Sequence, residues 1–398
     1  MEAKAIGKPN DQITNKPNDK AEVTQAKGIQ AKIINELFLL RAIACLSIVL
    51  LHCIHRIYGN DTLTIQMVTL LMTFGTPTFV FISEFILSHS YPHTIPKDFW
   101  GKRLSYILVP YVLFGIFYAG MKAVEASLAT AAPLAQTFAE LSLRHVLIGD
   151  YHGYFILIIF QFYCLHRLFQ VYLKRYSARL VLSISLVINL AYLAFFNFTE
   201  PMNIPYGDYI WSKLYWVPCV GWLFYFTLAY YCGRNYEAFK EGVRRNGLWI
   251  LVFLLVASSV PLYLLQQGIL VDISSKRVDM LFFTVAMSLF LFYIGLRLQE
   301  IPRWMLTISR YSFGIYLFHP LYLAVMVLVV RKVPFLDGTV AGVIVLLLGS
   351  TLGSIVTLHL LNKWSWGPYF AGRVGKGSTE MGSKEPKPLK LLPNIAND

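Results

Sequence analysis

Charge is scarce in this sequence: Asp, Glu, Lys and Arg together make up 14% of 398 residues, where a soluble globular chain carries about a quarter. Cysteine is scarce as well. The five (Cys45, Cys53, Cys164, Cys219 and Cys232) form no C-x-x-C pair, are odd in number and lie in or beside apolar stretches. Such a set excludes a disulfide scaffold and reads as buried free thiols rather than metal or disulfide chemistry. The sequence also lacks a glycine-rich loop closed by Lys-Ser/Thr, an H-E-x-x-H and a G-x-S-x-G. Those absences disfavour an ATP-driven pump, a zinc protease and a serine hydrolase. Nor does an apolar segment with a cleavage site lead the chain, so no signal peptide is expected.

What the chain does contain is apolar mass, with 56% hydrophobic and 15% aromatic residues and a mean hydropathy of +0.54. A soluble fold would have to expose much of this surface or outgrow the usual single core. A polytopic membrane protein is the class that remains. Ten apolar runs are long enough to cross about 30 Å of hydrocarbon as helices: 36–57, 65–88, 104–125, 153–173, 180–197, 217–233, 248–265, 279–297, 311–330 and 339–361. They are continuously apolar, without the dyad alternation of a membrane barrel. The expected fold is therefore all-α, with about ten transmembrane helices. Residues 1–35 read as a disordered cytoplasmic tail, 36–361 as the membrane domain and 362–398 as a polar cytoplasmic tail.

The formal charge of +13 would suit nucleic acid if the basic residues formed a patch, but they fall in short clusters between the runs. No nucleic-acid partner is expected. Of the Lys and Arg residues, 25 lie in one alternate set of connections and 7 in the other, with Arg41, Lys122 and Arg167 inside runs. This is the positive-inside pattern for ten spans with both termini cytoplasmic. No internal repeat is evident, which weakens an inverted-repeat transporter.

Ionisable residues inside apolar spans are expensive unless they face the bundle interior or a wet cavity. Arg41 and His52 are eleven residues apart in the first run, so a helix brings them to one face, ~16 Å apart along its axis. Two readings stand: Arg41 snorkels to headgroups while His52 makes an interhelical hydrogen bond, or both face a site. In the second run Pro77 should kink the helix, and Glu84 falls at a depth similar to Arg41, where the two could form a structural or a catalytic pair. Lys102 and Arg103 open the third run, either as topology anchors or as a phosphate clamp. Tyr151 and Tyr154 stand at the outer end of the fourth, as belt aromatics or as platforms for sugar rings, and Gln161 follows in mid-membrane. In the ninth, Pro320 cannot donate to the carbonyl of Tyr316. A backbone acceptor is thereby freed beside His319, which is either a satisfied buried histidine or part of a polar cavity.

These residues fall in a recognisable order: Arg41, Ala44, Cys45, Val49 and His52; then Gly75-Thr76-Pro77, Phe79 and Ser83; then Lys102-Arg103 leading to Pro110-Tyr111; then Tyr316 and His319. Over about residues 36–361 the chain resembles the integral-membrane acyltransferase 3 family. The resemblance is closer still, through Gly149, Tyr151, Gly153-Tyr154-Phe155, Gln161-Phe162 and Gly221-Trp222 with Phe224-Tyr225-Phe226, to its intercellular-adhesin branch. That branch is associated with poly-N-acetylglucosamine biofilm polysaccharide, and its members are described both as exporters and as O-succinyltransferases. Where much of the family has Ser-Gly, this chain has Ser83-Glu84, which leaves the role of Glu84 open.

The resemblance implies a ten-helix enzyme of the bacterial cytoplasmic membrane. It would move an acetyl or succinyl group from a cytoplasmic acyl-CoA to a hydroxyl of a cell-surface or exported polysaccharide. Acyl-CoA is a donor substrate here, with no bound cofactor and no metal expected. The bilayer, a glycan acceptor and a polysaccharide synthase are the expected partners. His52 would be the general base and Arg41 would orient the donor. Lys102, Arg103, Glu84, Tyr151, Tyr154, Gln161 and His319 would bind substrate. The alternative is an exporter or flippase of a poly-N-acetylglucosamine-type polysaccharide, with His52 structural or gating.

Overall fold

The computed structural model describes residues 34–92 and 94–374. Residues 1–33 of the expected N-terminal tail and 375–398 of the expected C-terminal one lie outside the described residues. Every regular element among the described residues is helical. In chain order they are α1 (Asn35–Tyr58), α2 (Leu63–Met72), α3 (Gly75–Ser90), α4 (Phe99–Arg103), α5 (Val109–Thr130), α6 (Leu134–Leu143), α7 (Tyr154–Tyr172) and α8 (Ala178–Phe198). There follow α9 (Gly207–Ser212), α10 (Leu223–Arg234), α11 (Tyr236–Arg245), α12 (Gly247–Gln266), α13 (Met280–Arg297), α14 (Arg303–Val330), α15 (Val340–Leu361) and α16 (Gly367–Ala371). Among the described residues, nine helical stretches are long and apolar enough to cross a membrane. The chain is a multi-pass membrane protein.

The run expected at 217–233 is the exception in length. Pro218 and Gly221 break it into a 3₁₀ turn, Cys219–Trp222, ahead of the 12-residue α10, which rises only ~18 Å. The entry to α10 is held partway down the bundle by two mid-span amides. Gln161 on α7 donates to Val217 O at 2.8 Å and accepts from Cys219 N at 2.9 Å. Asn189 on α8 donates to Gly221 O and accepts from Phe224 N, each at 3.0 Å. The backbone groups of Val217, Cys219, Gly221 and Phe224 at the entry to this short helix are thus satisfied by side chains, as an apolar setting requires.

α1 is the central helix and packs against α3, α13, α14 and α15. Its close approach to α3 depends on Gly75, where an added Cβ would meet Ala44 O and Ser47 Oγ at 2.6 Å. The expected kink in the second span is a full break. α2 stops at Met72, and α3 restarts at Gly75 because Pro77 has no N–H for the carbonyl four residues back. Thr78 anchors the restart, its hydroxyl donating to Phe74 O at 2.8 Å and meeting Ser288 Oγ at 3.1 Å.

Two π-helical turns were not expected from the sequence. Leu104–Leu108 joins α4 to α5 just before Pro110, and Arg144–Ile148 ends α6. The second stops at Gly149, whose φ of +74° is a conformation glycine adopts without strain. The chain then turns over residues 150–153 into the bundle, and this inward loop positions the site. Past 361 the described chain continues as α16, which packs against α5 and the first π turn.

Candidate functional site

Two cavities open toward opposite ends of the bundle. The first, of about 420 Å³, lies at the end where α1 begins. Five cationic side chains line it (Arg41, Lys102, Arg103, Arg310 and Arg373) against one carboxylate, Asp98. Asp98 is paired with Lys102. The Arg103 guanidinium packs over the rings of Phe99 and Tyr163 at 5.0 and 5.2 Å, and Arg373 over Tyr106 at 4.8 Å. The buried Nε of Arg310 has no protein partner among the described residues. Deeper in, Phe79, Ile82, Ile86, Phe155, Ile156 and Ile159 form apolar walls. A basic rim over an apolar interior suits a ligand with several anionic groups and an apolar arm.

The second cavity, of about 400 Å³, takes in His52, Lys122, Asp150, Tyr151, His152, Tyr154, Lys213, Trp216 and Lys276. Tyr316 lines both cavities, so a single phenol forms part of the wall between them. Three histidines gather behind it. The ring of His52 on α1 stacks on His319 of α14 with centroids 5.3 Å apart and planes at 28°. His152 meets His319 edge-on at 5.8 Å and Tyr316 at 5.6 Å. The Tyr316 hydroxyl donates to the His152 carbonyl. His319 Nδ1 lies 3.1 Å from Ile315 O. A carbonyl can only accept, so the proton is on Nδ1 and the lone pair on Nε2. That Nε2 is buried without a partner among the described residues.

The inward loop is fastened by reciprocal hydrogen bonds. Tyr111 donates to His145 O at 2.7 Å and Val146 O at 3.0 Å, Tyr151 donates back to Tyr111 O at 2.6 Å, and His145 Nδ1 is 2.8 Å from Gly115 O. Tyr118 ties α5 to α14 by donating to Leu317 O at 2.8 Å. Burial first, and then the neighbouring His319, His52 and His145, hold the His152 imidazole well below the usual histidine range. It is a neutral ring at physiological pH.

Of the residues singled out in the sequence, Arg41, Lys102 and Arg103 come together in the first cavity, and His52, Tyr151 and Tyr154 line the second. His319 stacks on His52. Gln161 and Glu84 line neither. Gln161 is spent on the backbone at the start of α10, as described above. Glu84 is not paired with Arg41: its Oε1 lies 2.6 Å from His166 Nδ1, both side chains being buried. The pairing takes the carboxylate across to α7 instead of α1. Tyr151 is buried with its hydroxyl committed to Tyr111. The faces of Tyr154 and Trp216 are covered by the Lys276 ammonium, at 4.7 and 3.9 Å.

Sequence reasoning missed His152, Arg310, Arg373 and His166. His152 lay one residue from the noted Tyr151, and His166 was a titratable group within an apolar run. Either could have been flagged on that ground. Arg310 and Arg373 carry no such signal, since both stand where topology anchors are expected.

The sequence matches the acyltransferase 3 family, described as an acyltransferase domain, over residues 34–359. A Bacillus subtilis protein with the provisional name membrane-bound acyltransferase YfiQ is 36% identical over 353 residues, covering 86% of this chain and 95% of the relative. Two staphylococcal proteins carry the provisional name poly-beta-1,6-N-acetyl-D-glucosamine export protein. The one from Staphylococcus aureus strain Mu50 is 29% identical, covering 73% of this chain and 83% of its own length. The one from Staphylococcus epidermidis is 26% identical, covering 72% and 81%. No solved structure matches the chain. Matched by the family model from its first span to its last, and 36% identical to a membrane-bound acyltransferase across most of both chains, the protein is a membrane acyltransferase belonging to the acyltransferase 3 family.

Proposed function

We propose that this enzyme transfers an acyl group, acetyl or succinyl, from acyl-CoA in the basic cavity to a hydroxyl of a saccharide in the opposite cavity. The observation that carries the reading is the shared wall: Tyr316 lines both cavities, with His52 and His319 stacked beside it. In this scheme Arg41, Lys102 and Arg103 hold the donor phosphates while the thioester lies along the apolar walls toward Tyr316. His52 accepts the proton of the acceptor hydroxyl as its oxygen attacks the thioester carbonyl. The C–S bond then breaks, and the departing sulfur takes the proton back from the imidazolium. The products are an ester and free CoA. His319 supports His52 by stacking.

The cell membrane is the proposed location, with the basic end cytoplasmic, and the acceptor is a cell-surface or exported polysaccharide supplied by a polysaccharide synthase. Export of such a polymer is the second reading, drawn from the names of the staphylococcal relatives. Against it stands the phenol-to-carbonyl hydrogen bond between Tyr316 and His152, across the line a polymer would have to follow. Acyl groups and total polymer, measured on the surface polysaccharide of cells carrying His52→Ala or Arg41→Ala, separate the two. Loss of general-base catalysis is expected to cut acylation by ~10²- to 10⁴-fold, with polymer export and membrane insertion unchanged. Full acyl content with His52→Ala would remove His52 from the mechanism. Lost export with acylation intact would select the exporter.

A further inference from the structure

Lysine and arginine are rare in the connections opposite the basic end: seven in all, with Lys122 nearby in α5. Positive charge is selected against on that side of a membrane protein, so where the remaining cations go is informative. Arg277 is consumed structurally. It pairs with Asp279 at 2.5 Å and donates to Leu270 O at 2.9 Å and Pro261 O at 3.2 Å, closing the loop between α12 and α13. Arg144 pairs with Glu140 at 2.6 Å. Three others, Lys122, Lys213 and Lys276, line the second cavity. Asp150 is the one carboxylate among the lining residues, and it is taken by Lys213 at 3.0 Å. Among the described residues lining the cavity, Lys122 and Lys276 have no anion.

Lys276 is also held in place. Its ammonium lies 3.9 Å from the Trp216 ring centroid and 4.7 Å from that of Tyr154. Cation–π contacts of this kind fix a charge without neutralising it. The aromatic wall therefore supports a cation and is not a bare platform for a sugar face. A neutral acceptor would make no use of two ammonium groups lining the same cavity as His52. An anionic oxygen would, and the apolar surroundings strengthen that attraction relative to water.

We propose that the second cavity takes an acceptor saccharide bearing an anionic group, a phosphate or a carboxylate, which Lys276 and Lys122 bind so that a neighbouring hydroxyl faces His52. The proposal deepens the acyl-transfer reading and rests on it for the identity of the cavity as the acceptor site.

The test is direct binding, with turnover as a second readout, using the full chain in phosphatidylcholine nanodiscs. The probes are an N-acetylglucosamine tetrasaccharide, the same tetrasaccharide with one 6-phosphate, and a tetrasaccharide alternating N-acetylglucosamine with glucuronate. The charged probes are expected to bind at least about tenfold tighter than the neutral one. Raising NaCl from about 50 to about 500 mM should shrink the preference. Lys276→Met should abolish most of it, while Lys276→Arg, which keeps the charge, should retain it. Preference for the phosphate or the glucuronate probe tells which anion the cavity takes. Equal binding of all three probes, or a preference that survives Lys276→Met, overturns the proposal. So does a preference that vanishes once phosphatidylglycerol is added, since the lysines then serve a lipid headgroup. Anionic preference without acyl transfer to any probe would instead count against the acyl-transfer reading.

Discussion

His152 shows how one side chain can tie the site to stability. Its Nε2 is sealed from solvent, and burial, followed by three neighbouring histidines, holds its pKa well below that of a free histidine. In the unfolded chain the ring titrates near its ordinary value of about 6.5. Below that pH the unfolded state takes up a proton that the folded state refuses. Stability is thus complete above about pH 6.5 and falls as the pH drops, by up to about 1.4 kcal/mol per pH unit from this group. His152→Asn, which keeps a polar side chain but cannot titrate, should flatten that dependence. Thermal unfolding in detergent from about pH 7.5 to about pH 5 measures it. An acid slope in His152→Asn equal to that of the unmodified chain would mean that other groups set the acid limit. His152 is also the residue that most clearly escaped the sequence. It looks like a surface loop residue beside Tyr151, and only the inward turn after Gly149 carries it to His319.

At the scale of the element, the contact between α1 and α3 carries the site. α1 bears both Arg41 and His52, and Gly75 lets α3 approach its Ala44 and Ser47. Gly75→Ala places a Cβ 2.6 Å from the Ala44 carbonyl, so the helices must part. Overpacking of this kind typically costs about 1–3 kcal/mol and here should also shift His52 from His319. Lower melting temperature together with reduced acyl transfer is the expected result. A Gly75→Ala protein that melts and turns over like the unmodified chain would show that the helix pair has slack. The helices themselves were legible because continuous apolar length and alternating charge are local properties of the chain. Their interruptions were less so. Pro77 announced a kink, but not that the helix would stop at Met72 and restart at Gly75, nor that Thr78 beyond it would meet Ser288, 210 residues away. The short α10 was unreadable for a similar reason, since Gln161 looks like a ligand-binding amide until Val217 and Cys219 fold against it. Glu84 was matched with Arg41 by depth alone, and depth does not reveal which way around the helix its partner His166 lies.

The whole molecule poses a problem of sides. By the positive-inside rule the end bearing Arg41, Lys102 and Arg103 is the expected cytoplasmic one, and Arg310 and Arg373 line the same cavity. His52 and the three lysines face the other way. In the proposed scheme donor and acceptor enter from opposite faces, and the acyl group would cross a partition formed in part by Tyr316, which lines both cavities. Such a scheme would spare the cell from moving either a polyphosphorylated donor or a polymer through the bilayer, where each charge at mid-depth is costly. A sharp expectation follows for proteoliposomes in which the N-terminus of every copy is accessible from outside. Acyl-CoA added outside should acylate an oligosaccharide trapped in the lumen. The same two substrates mixed outside should give at most background transfer. Tyr316→Phe, which removes the bond to the His152 carbonyl, should preserve this sidedness if the ring is the barrier and the hydroxyl only its anchor. Efficient transfer with both substrates on one face would dismiss the two-sided scheme and place donor and acceptor in a single cavity.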